Sequence, residues 1–360
     1  MNANSTEPLD AGAPARDGVD GSGRSTRELV LARLREDERF VLAAHESPDG
    51  DALGSLVAMH GLLSALGKDA AMFISPNDLP LSREYRLFPL DGLIREPPPD
   101  IARRTVVFLD CGNIDRNSAS VLRHGAHLLN IDHHHDNTRF GTLNHVVPDA
   151  SCTAEIVWDL MHGLGVAPTP AVAQALYIGL ITDTGRFMYE NTSPRAHLMA
   201  AELIEAGVDV AGVYRRLYED LPAGKLALLG IALGHIQRFD SGELALSALS
   251  AEEFARAGAD DSDSEGIIDQ LRALDGTKVA VLVRELSSGE RRGQHKVSLR
   301  ATGDDVDVSV IARAQGGGGH RRAAGFTTAL SAEELIAFLR EAIAAQLHPS
   351  SDGHAAASLA

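Results

Sequence analysis

His45, Asp49 and Asp51 share one short polar stretch, His45-Glu46-Ser47-Pro48-Asp49-Gly50-Asp51, between two apolar runs. Two carboxylates on either side of a glycine can be aimed at different cations, because glycine lets the backbone turn sharply. The imidazole adds a nitrogen donor. The competing reading is a solvated turn in which an Asp caps a helix. Asp110 ends the apolar run Val106-Val107-Phe108-Leu109, and a carboxylate there is costly to bury unless it is paired, hydrogen-bonded or metal-bound. Asp132-His133-His134-His135-Asp136 follows another apolar run; imidazoles in that place suit metal binding and proton transfer. Adjacent side chains diverge, so the three do not all reach one ion, and His135 is placed outside or behind the others. Asp183 lies in Ile181-Thr182-Asp183-Thr184-Gly185-Arg186-Phe187, where Arg186 can pair with a carboxylate or a phosphate. Gly316-Gly317-Gly318-Gly319-His320, followed by Arg321 and Arg322, reads as a loop whose backbone N–H groups and basic side chains could hold phosphate. A plain linker is the alternative, and no Lys-Ser/Thr follows to make it a P-loop.

These residues need elements to hold them. Ser25-x-x-Glu28 fits a capping box opening a first helix. Phe40 to Ala44 reads as a buried strand, followed by the polar loop and a helix from about Ala52 to Leu66. Ala70–Ile74, Thr105–Leu109 and His127–Ile131 are further strands. Strands alternating with helices predict an α/β fold with a parallel sheet. Ligands collect beyond the carboxyl ends of such strands, so His45 to Asp51, Asp110 and Asp132 to His134 are expected to converge. Residues 152–218 read as mostly helical, with Asp183 in a break. A connecting helix spans Pro222 to Ile236. Lys278–Leu286 and His295–Ala301 are strand candidates, Val308–Ala314 a short helix, and Ser331-x-x-Glu334 opens the last helix. The expected division is a tail over 1–24, a catalytic domain over 25–220, a linker helix over 221–240, a smaller α/β domain over 241–347 and a tail over 348–360.

The chain has 360 residues, 44% hydrophobic, with 33 Lys and Arg against 50 Asp and Glu for a net charge of −17. Two domains are the default at this length. The acidic balance argues against long duplex nucleic acid, whose binding needs many neutralised phosphates; a short anionic ligand at one local site remains open. Cys111 and Cys152 are the only cysteines and read as buried thiols in a reducing cytosol. No apolar run approaches the roughly 20 residues of a membrane span, and Met1 to Arg24 lacks the apolar core of a signal peptide. A cytoplasmic protein without membrane partners is expected.

Taken together and in order, the motifs resemble those of the DHH/DHHA1 phosphoesterases, over about Phe40 to Leu339. They are His45-x-x-Pro48-Asp49-Gly50-Asp51-Ala52-Leu53-Gly54-Ser55, Leu109-Asp110-Cys111-Gly112-Asn113, Asp132-His133-His134, the segment around Asp183, and Gly317-Gly318-Gly319-His320. Within that family the pattern is most similar to the bifunctional oligoribonuclease (nanoRNase) and pAp phosphatase branch. The resemblance implies a binuclear Mn²⁺ centre, with Mg²⁺ as the alternative. His45 and Asp49 would hold one ion, Asp51, His133 and Asp183 the other, and Asp110 would bridge. His134 would contact the scissile phosphate, and Asp132 would orient the histidines. The smaller domain would contribute Arg300, the glycines 317–319 and His320 to substrate binding. A homodimer through the first domain is also implied.

The expected reaction is hydrolysis of short oligoribonucleotides and of 3′-phosphoadenosine 5′-phosphate (pAp) by water activated between two metals. Rival readings are a cyclic di-AMP or pApA phosphodiesterase and a RecJ-like single-strand exonuclease, which would want a more basic channel. A family II pyrophosphatase lacks the Gly-Gly-Gly-His element. A non-catalytic nucleotide or RNA sensor predicts missing ligands, and every ligand type is present. No Gly-x-Gly-x-x-Gly follows the first strand, against a dinucleotide-binding dehydrogenase.

Overall fold

The structure, a computed structural model, describes residues 25–286 and 292–348. The tail expected over 1–24, and all but His348 of the one expected over 348–360, lie outside the described residues. Two compact units divide between Asp220 and Leu221.

The first unit runs α1 (Thr26–Glu36), β1 (Arg39–Ala43), α2 (Gly50–Ala65), β2 (Asp69–Phe73), β3 (Leu93–Ile94), β4 (Thr105–Leu109), β5 (His127–Asp132), β6 (Leu143–Val146), α3 (Thr153–Leu164), α4 (Pro170–Asp183), α5 (Pro194–Glu205) and α6 (Val210–Tyr214). Its sheet is six-stranded, in the order β3-β2-β1-β4-β5-β6, with every pairing parallel. All of β4 is buried, as an unbroken Val/Phe/Leu run in a parallel sheet should be. The chain leaves β1 toward β2 and β3 on one side and returns to β4, β5 and β6 on the other. The order therefore reverses between β1 and β4, which is where an open α/β sheet leaves a crevice at its carboxyl edge.

Helix α2 starts two residues before the sequence suggests. Asp49 caps it, its side chain accepting the N–H groups of Asp51 and Ala52. The expectation that Gly50 makes a sharp turn is corrected: it is helical, and its missing side chain serves close packing. A Cβ there would lie 2.4 Å from Oγ1 of Thr182 on α4. Leu53, Leu56, Leu62 and Leu63 are fully buried in the core shared with α3 and α4, each contributing about 1.5–3 kcal/mol.

The second unit runs α7 (Ala223–Gly234), β7 (Gln237–Phe239), β8 (Leu244–Leu249), α8 (Ala251–Ala257), α9 (Ile267–Arg272), β9 (Val279–Glu285), β10 (His295–Ala301), α10 (Val308–Ala314), β11 (Gly318–His320), β12 (Ala323–Thr328) and α11 (Ala332–Leu347). Its sheet has the order β11-β12-β10-β9-β8-β7, antiparallel except for β8 beside β9. One core lies between the sheet and α10 and α11; Leu228 and Ala232 of α7 join Ile267 and Leu271 of α9 in another. The expected connecting helix thus packs on this unit. The glycine run is not the open loop expected. Gly318 to His320 pair with β12, and a Cβ on Gly317 would meet the Gly325 carbonyl at 2.2 Å. Glycine is used here because two strands approach closely. No described helix is long and apolar enough to cross a membrane.

Candidate metal centre

Four chain segments meet at the reversal point of the first sheet. The loop after β1 and the start of α2 bring His45, Asp49 and Asp51. Asp110 follows β4 directly, in a left-handed conformation at φ 56° that is uncommon for a residue other than glycine. Asp132 ends β5, with His133 and His134 next, and Asp183 ends α4. Their donor atoms gather in three overlapping groups, each within 4.8 Å: His45, Asp49 and Asp110; Asp51, His133 and Asp183; Asp110, His133 and His134.

His133 and Asp110 each belong to two of these groups, and Asp110 joins the two that lack Asp51. Its carboxylate lies 3.5 Å from Nε2 of His45, 3.7 Å from Nε2 of His133 and 3.6 Å from Nδ1 of His134. Nδ1 of His45 is taken by the Glu46 carbonyl at 2.7 Å, which turns Nε2 toward Asp110. Oγ1 of Thr153 donates to Asp110 at 3.0 Å. Asp51 accepts the N–H groups of Thr153 at 2.7 Å and Ala154 at 2.9 Å, so the start of α3 clamps it through the partial positive charge of a helix N-terminus. Asp132, fully buried, accepts from the His133 N–H at 2.9 Å and pairs with Nδ1 of His134 at 2.8 Å. Asn137 donates to its other oxygen at 2.5 Å.

The electrostatics follow from this crowding. Burial pushes Asp51 up well above the usual carboxylate range, and Asp110, Asp183 and Asp49 push it further. Burial also raises Asp183, to about 6, with His133 opposing and Asp110 adding to the rise. Asp49 keeps an exposed edge, yet burial of the rest of the group and Asp110 raise it. Burial would raise Asp110 too, but His45, His133 and His134 more than offset it and hold it well below the usual range. For His134, burial is outweighed by Asp132 and Asp110, and its pKa rises to about 9. Among the described residues no Lys or Arg ion-pairs with these four carboxylates. Three carboxylates that resist ionising, around a fourth that the imidazoles keep ionised, with no Lys or Arg partner, are a donor set that fits divalent cations.

Residues 39–180 match the DHH family, N-terminal domain, and residues 244–347 match the DHHA1 domain. The protein named bifunctional oligoribonuclease and PAP phosphatase NrnA in Thermus thermophilus is 36% identical over 290 residues, 79% of this chain and 83% of that one. The chain belongs to the DHH/DHHA1 phosphoesterase family. The fold likeness extends to solved structures. An exopolyphosphatase-related protein from Bacteroides fragilis matches with a TM-score of 0.79 at 22% identity, over 88% of this chain and 95% of that one. The exonuclease RecJ bound to manganese matches with a TM-score of 0.53 at 16% identity, over 95% and 97%.

In this DHH unit every residue expected near a metal is at the crevice. His135 is exposed and apart from the donor groups. Arg186 is not among them either; its guanidinium lies over the Tyr218 ring, 5.0 Å from the centroid. Arg300 and the glycines 317–319 lie in the DHHA1 unit, and the side chain of His320 is outside the described residues. Cys111 and Cys152 are buried free thiols. Sequence reasoning missed Thr153, which holds Asp110 and Asp51. It also missed Asn191, whose Nδ2 donates to the Asp183 carboxylate at 3.0 Å and to the Ser151 carbonyl at 2.7 Å. Thr153 opening an apolar helix was the available signal for the first; Asn191 offers none in one sequence.

Proposed function

We propose that this DHH/DHHA1 phosphoesterase hydrolyses oligoribonucleotides of a few nucleotides and pAp with the help of two divalent cations, Mn²⁺ or alternatively Mg²⁺. His45 and Asp49 would hold one, Asp51, His133 and Asp183 the other, with Asp110 common to both. The observation that carries this reading is that the Asp110 carboxylate stands between His45 and His133, at 3.5 and 3.7 Å. The name of the Thermus thermophilus relative supports the substrates, and the manganese in the RecJ structure supports the metal. Oxygen-rich donors with imidazoles suit Mn²⁺ best.

Cations so held neutralise charge on phosphoryl oxygens and lower the pKa of water. The chain's own residues do the positioning. The α3 amides and Thr153 fix Asp51 and Asp110, so neither carboxylate reorganises as substrate arrives. Asp132 fixes Nδ1 of His134 and keeps that imidazole protonated. Its Nε2 then offers an N–H to a phosphoryl or leaving oxygen.

Metal-stripped protein reloaded with Mn²⁺ and offered pAp, a short RNA, pApA, cyclic di-AMP and pyrophosphate side by side tests the reading. Turnover of pAp and short RNA is expected. Turnover of pyrophosphate alone, or of nothing by folded, loaded protein, would overturn it.

A further inference from the structure

Helix α3 carries a carboxylate where its neighbours are apolar. Glu155 is 1% exposed and sits between Ala154 and Ile156, both fully buried in the core of the DHH unit. A carboxylate in such a place is costly unless it is paired and hydrogen-bonded. Glu155 is both. Its Oε2 accepts the Ser151 N–H at 2.9 Å, and its Oε1 lies 3.2 Å from Nε of Arg195 on α5. Buried ion pairs often add no stability over well-packed apolar residues of similar volume. The use of Glu155 therefore lies in what it holds in place.

It holds the segment that presents two carboxylates of the metal centre. Cys152, at the N-cap of α3, makes no side-chain cap. The first amides of the helix, those of Thr153 and Ala154, donate instead to Asp51, at 2.7 and 2.9 Å. Glu155 reaches back over this turn to Ser151, much as the third residue of a capping box reaches back to its cap. That fixes the chain on the far side of Cys152. The Ser151 carbonyl accepts from Nδ2 of Asn191 at 2.7 Å, and the same Nδ2 donates to the Asp183 carboxylate at 3.0 Å. Asp51 and Asp183, with His133, form one of the three donor groups. One buried glutamate thus stands behind both of its carboxylates.

Asp159, one turn further along α3 and 3% exposed, provides the contrast. It pairs with Arg27 of α1 and, at 2.7 Å, with Arg195, the arginine that also pairs with Glu155. Among the described residues no hydrogen bond runs from its carboxylate to the 151–154 segment. The other donor group stands apart from that segment too: Nδ1 of His45 is taken by the Glu46 carbonyl, and Asp49 accepts amides of α2.

We propose that Glu155 is a positioning residue for the ion of the Asp51, His133 and Asp183 group: by locking Ser151 it sets Asp51 and Asp183 where one divalent cation can take both. The inference rests on the two-metal phosphoesterase reading above and deepens it, because it makes the two ions unequal in what supports them.

The test is calorimetric titration of Mn²⁺ into the metal-stripped chain, with thermal melting in chelator alongside. The wild type should take up two ions. In Glu155→Ala one ion should bind about 10–100-fold more weakly, the usual loss when a group that orients metal ligands is removed, and the other should bind as in the wild type. Glu155→Gln keeps an oxygen for the Ser151 N–H but loses the charge pair with Arg195, so it should weaken the same ion by less. Asp159→Asn breaks charge pairs in the same cluster; it should lower Tm and leave both affinities unchanged. Wild-type affinity for both ions in a folded Glu155→Ala, or in Glu155→Gln where only that variant folds, overturns the positioning role. An equal weakening in Asp159→Asn overturns it as well. A wild type that takes up fewer than two ions overturns the two-metal reading and this inference together. A wild type that takes up two ions, one of them weakened in Glu155→Ala, but hydrolyses neither pAp nor short RNA overturns the phosphoesterase reading and leaves the positioning role standing.

Discussion

Nε2 of His45 stands 3.5 Å from Oδ2 of Asp110. One residue follows β1 and the other β4, the neighbouring parallel strands at which the sheet order reverses. The contact exists because the fold brings two strand ends together, and it assembles carboxylates that repel one another unless cations lie between them.

Asn191 should matter for metal affinity more than for the fold. It ties the Asp183 carboxylate and the Ser151 carbonyl to one amide. Groups that orient metal ligands typically contribute 10–100-fold to affinity, so Asn191→Ala should raise the Mn²⁺ concentration for half-maximal activity by about that factor. Calorimetric Mn²⁺ titration should show the same shift. An unchanged Mn²⁺ affinity would leave Asn191 a loop anchor only.

The metal-free protein should lose stability as pH rises. Burial lifts Asp183 to about 6 from an ordinary 3.8 and raises Asp51. Asp132 and Asp110, overcoming burial, lift His134 to about 9 from 6.5. Each group holds its proton more tightly folded than unfolded. Stability from these protons is complete below the unfolded values and is lost as pH climbs through the folded ones. The lowered Asp110 has the opposite sign but acts only in strong acid. The chelated protein should therefore melt at a lower temperature at pH 9 than at pH 6, and the rise in Tm on adding Mn²⁺ should grow with pH. A chelated protein that melts higher at pH 9 contradicts this electrostatic picture.

Asp132→Asn should act through His134. Loss of the carboxylate 2.8 Å from Nδ1 removes a main cause of the raised imidazole pKa. The His134 titration, followed by NMR in metal-free protein, should move down from about 9. In the loaded enzyme kcat should fall by about 10²-fold or more, the cost of removing a group that stabilises developing charge, with a smaller change in KM. An unmoved titration would show that Asp132 is not what holds the proton.

Gly50→Ala should destabilise the DHH unit by about 1–3 kcal/mol, the usual cost of overpacking, because its Cβ would lie 2.4 Å from Oγ1 of Thr182. Thermal melting checks this; an unaltered Tm would mean that α2 and α4 separate freely.

Much of the centre was legible because burial forces a choice. A carboxylate ending Val106 to Leu109, or a run of histidines after His127 to Ile131, has few satisfied states other than a site, and parallel strands place such residues at one edge. Backbone donors were not legible. The Thr153 and Ala154 N–H groups that clamp Asp51 carry no residue-type signature. In the sequence Gly50 reads as a turn, because steric need and conformational freedom select the same residue. The sequence of β11 reads as a loop, because a run of glycines has no alternating pattern, although its pairing with β12 depends on the missing side chains.

The most direct measurement counts Mn²⁺ bound per chain, by equilibrium dialysis and elemental analysis, in wild type and Asp110→Asn, alongside pAp turnover. Two ions with turnover in the wild type, and fewer than two with turnover reduced by about 10²–10³-fold in a folded Asp110→Asn, are predicted. Two ions and wild-type turnover in Asp110→Asn would contradict the shared-carboxylate centre.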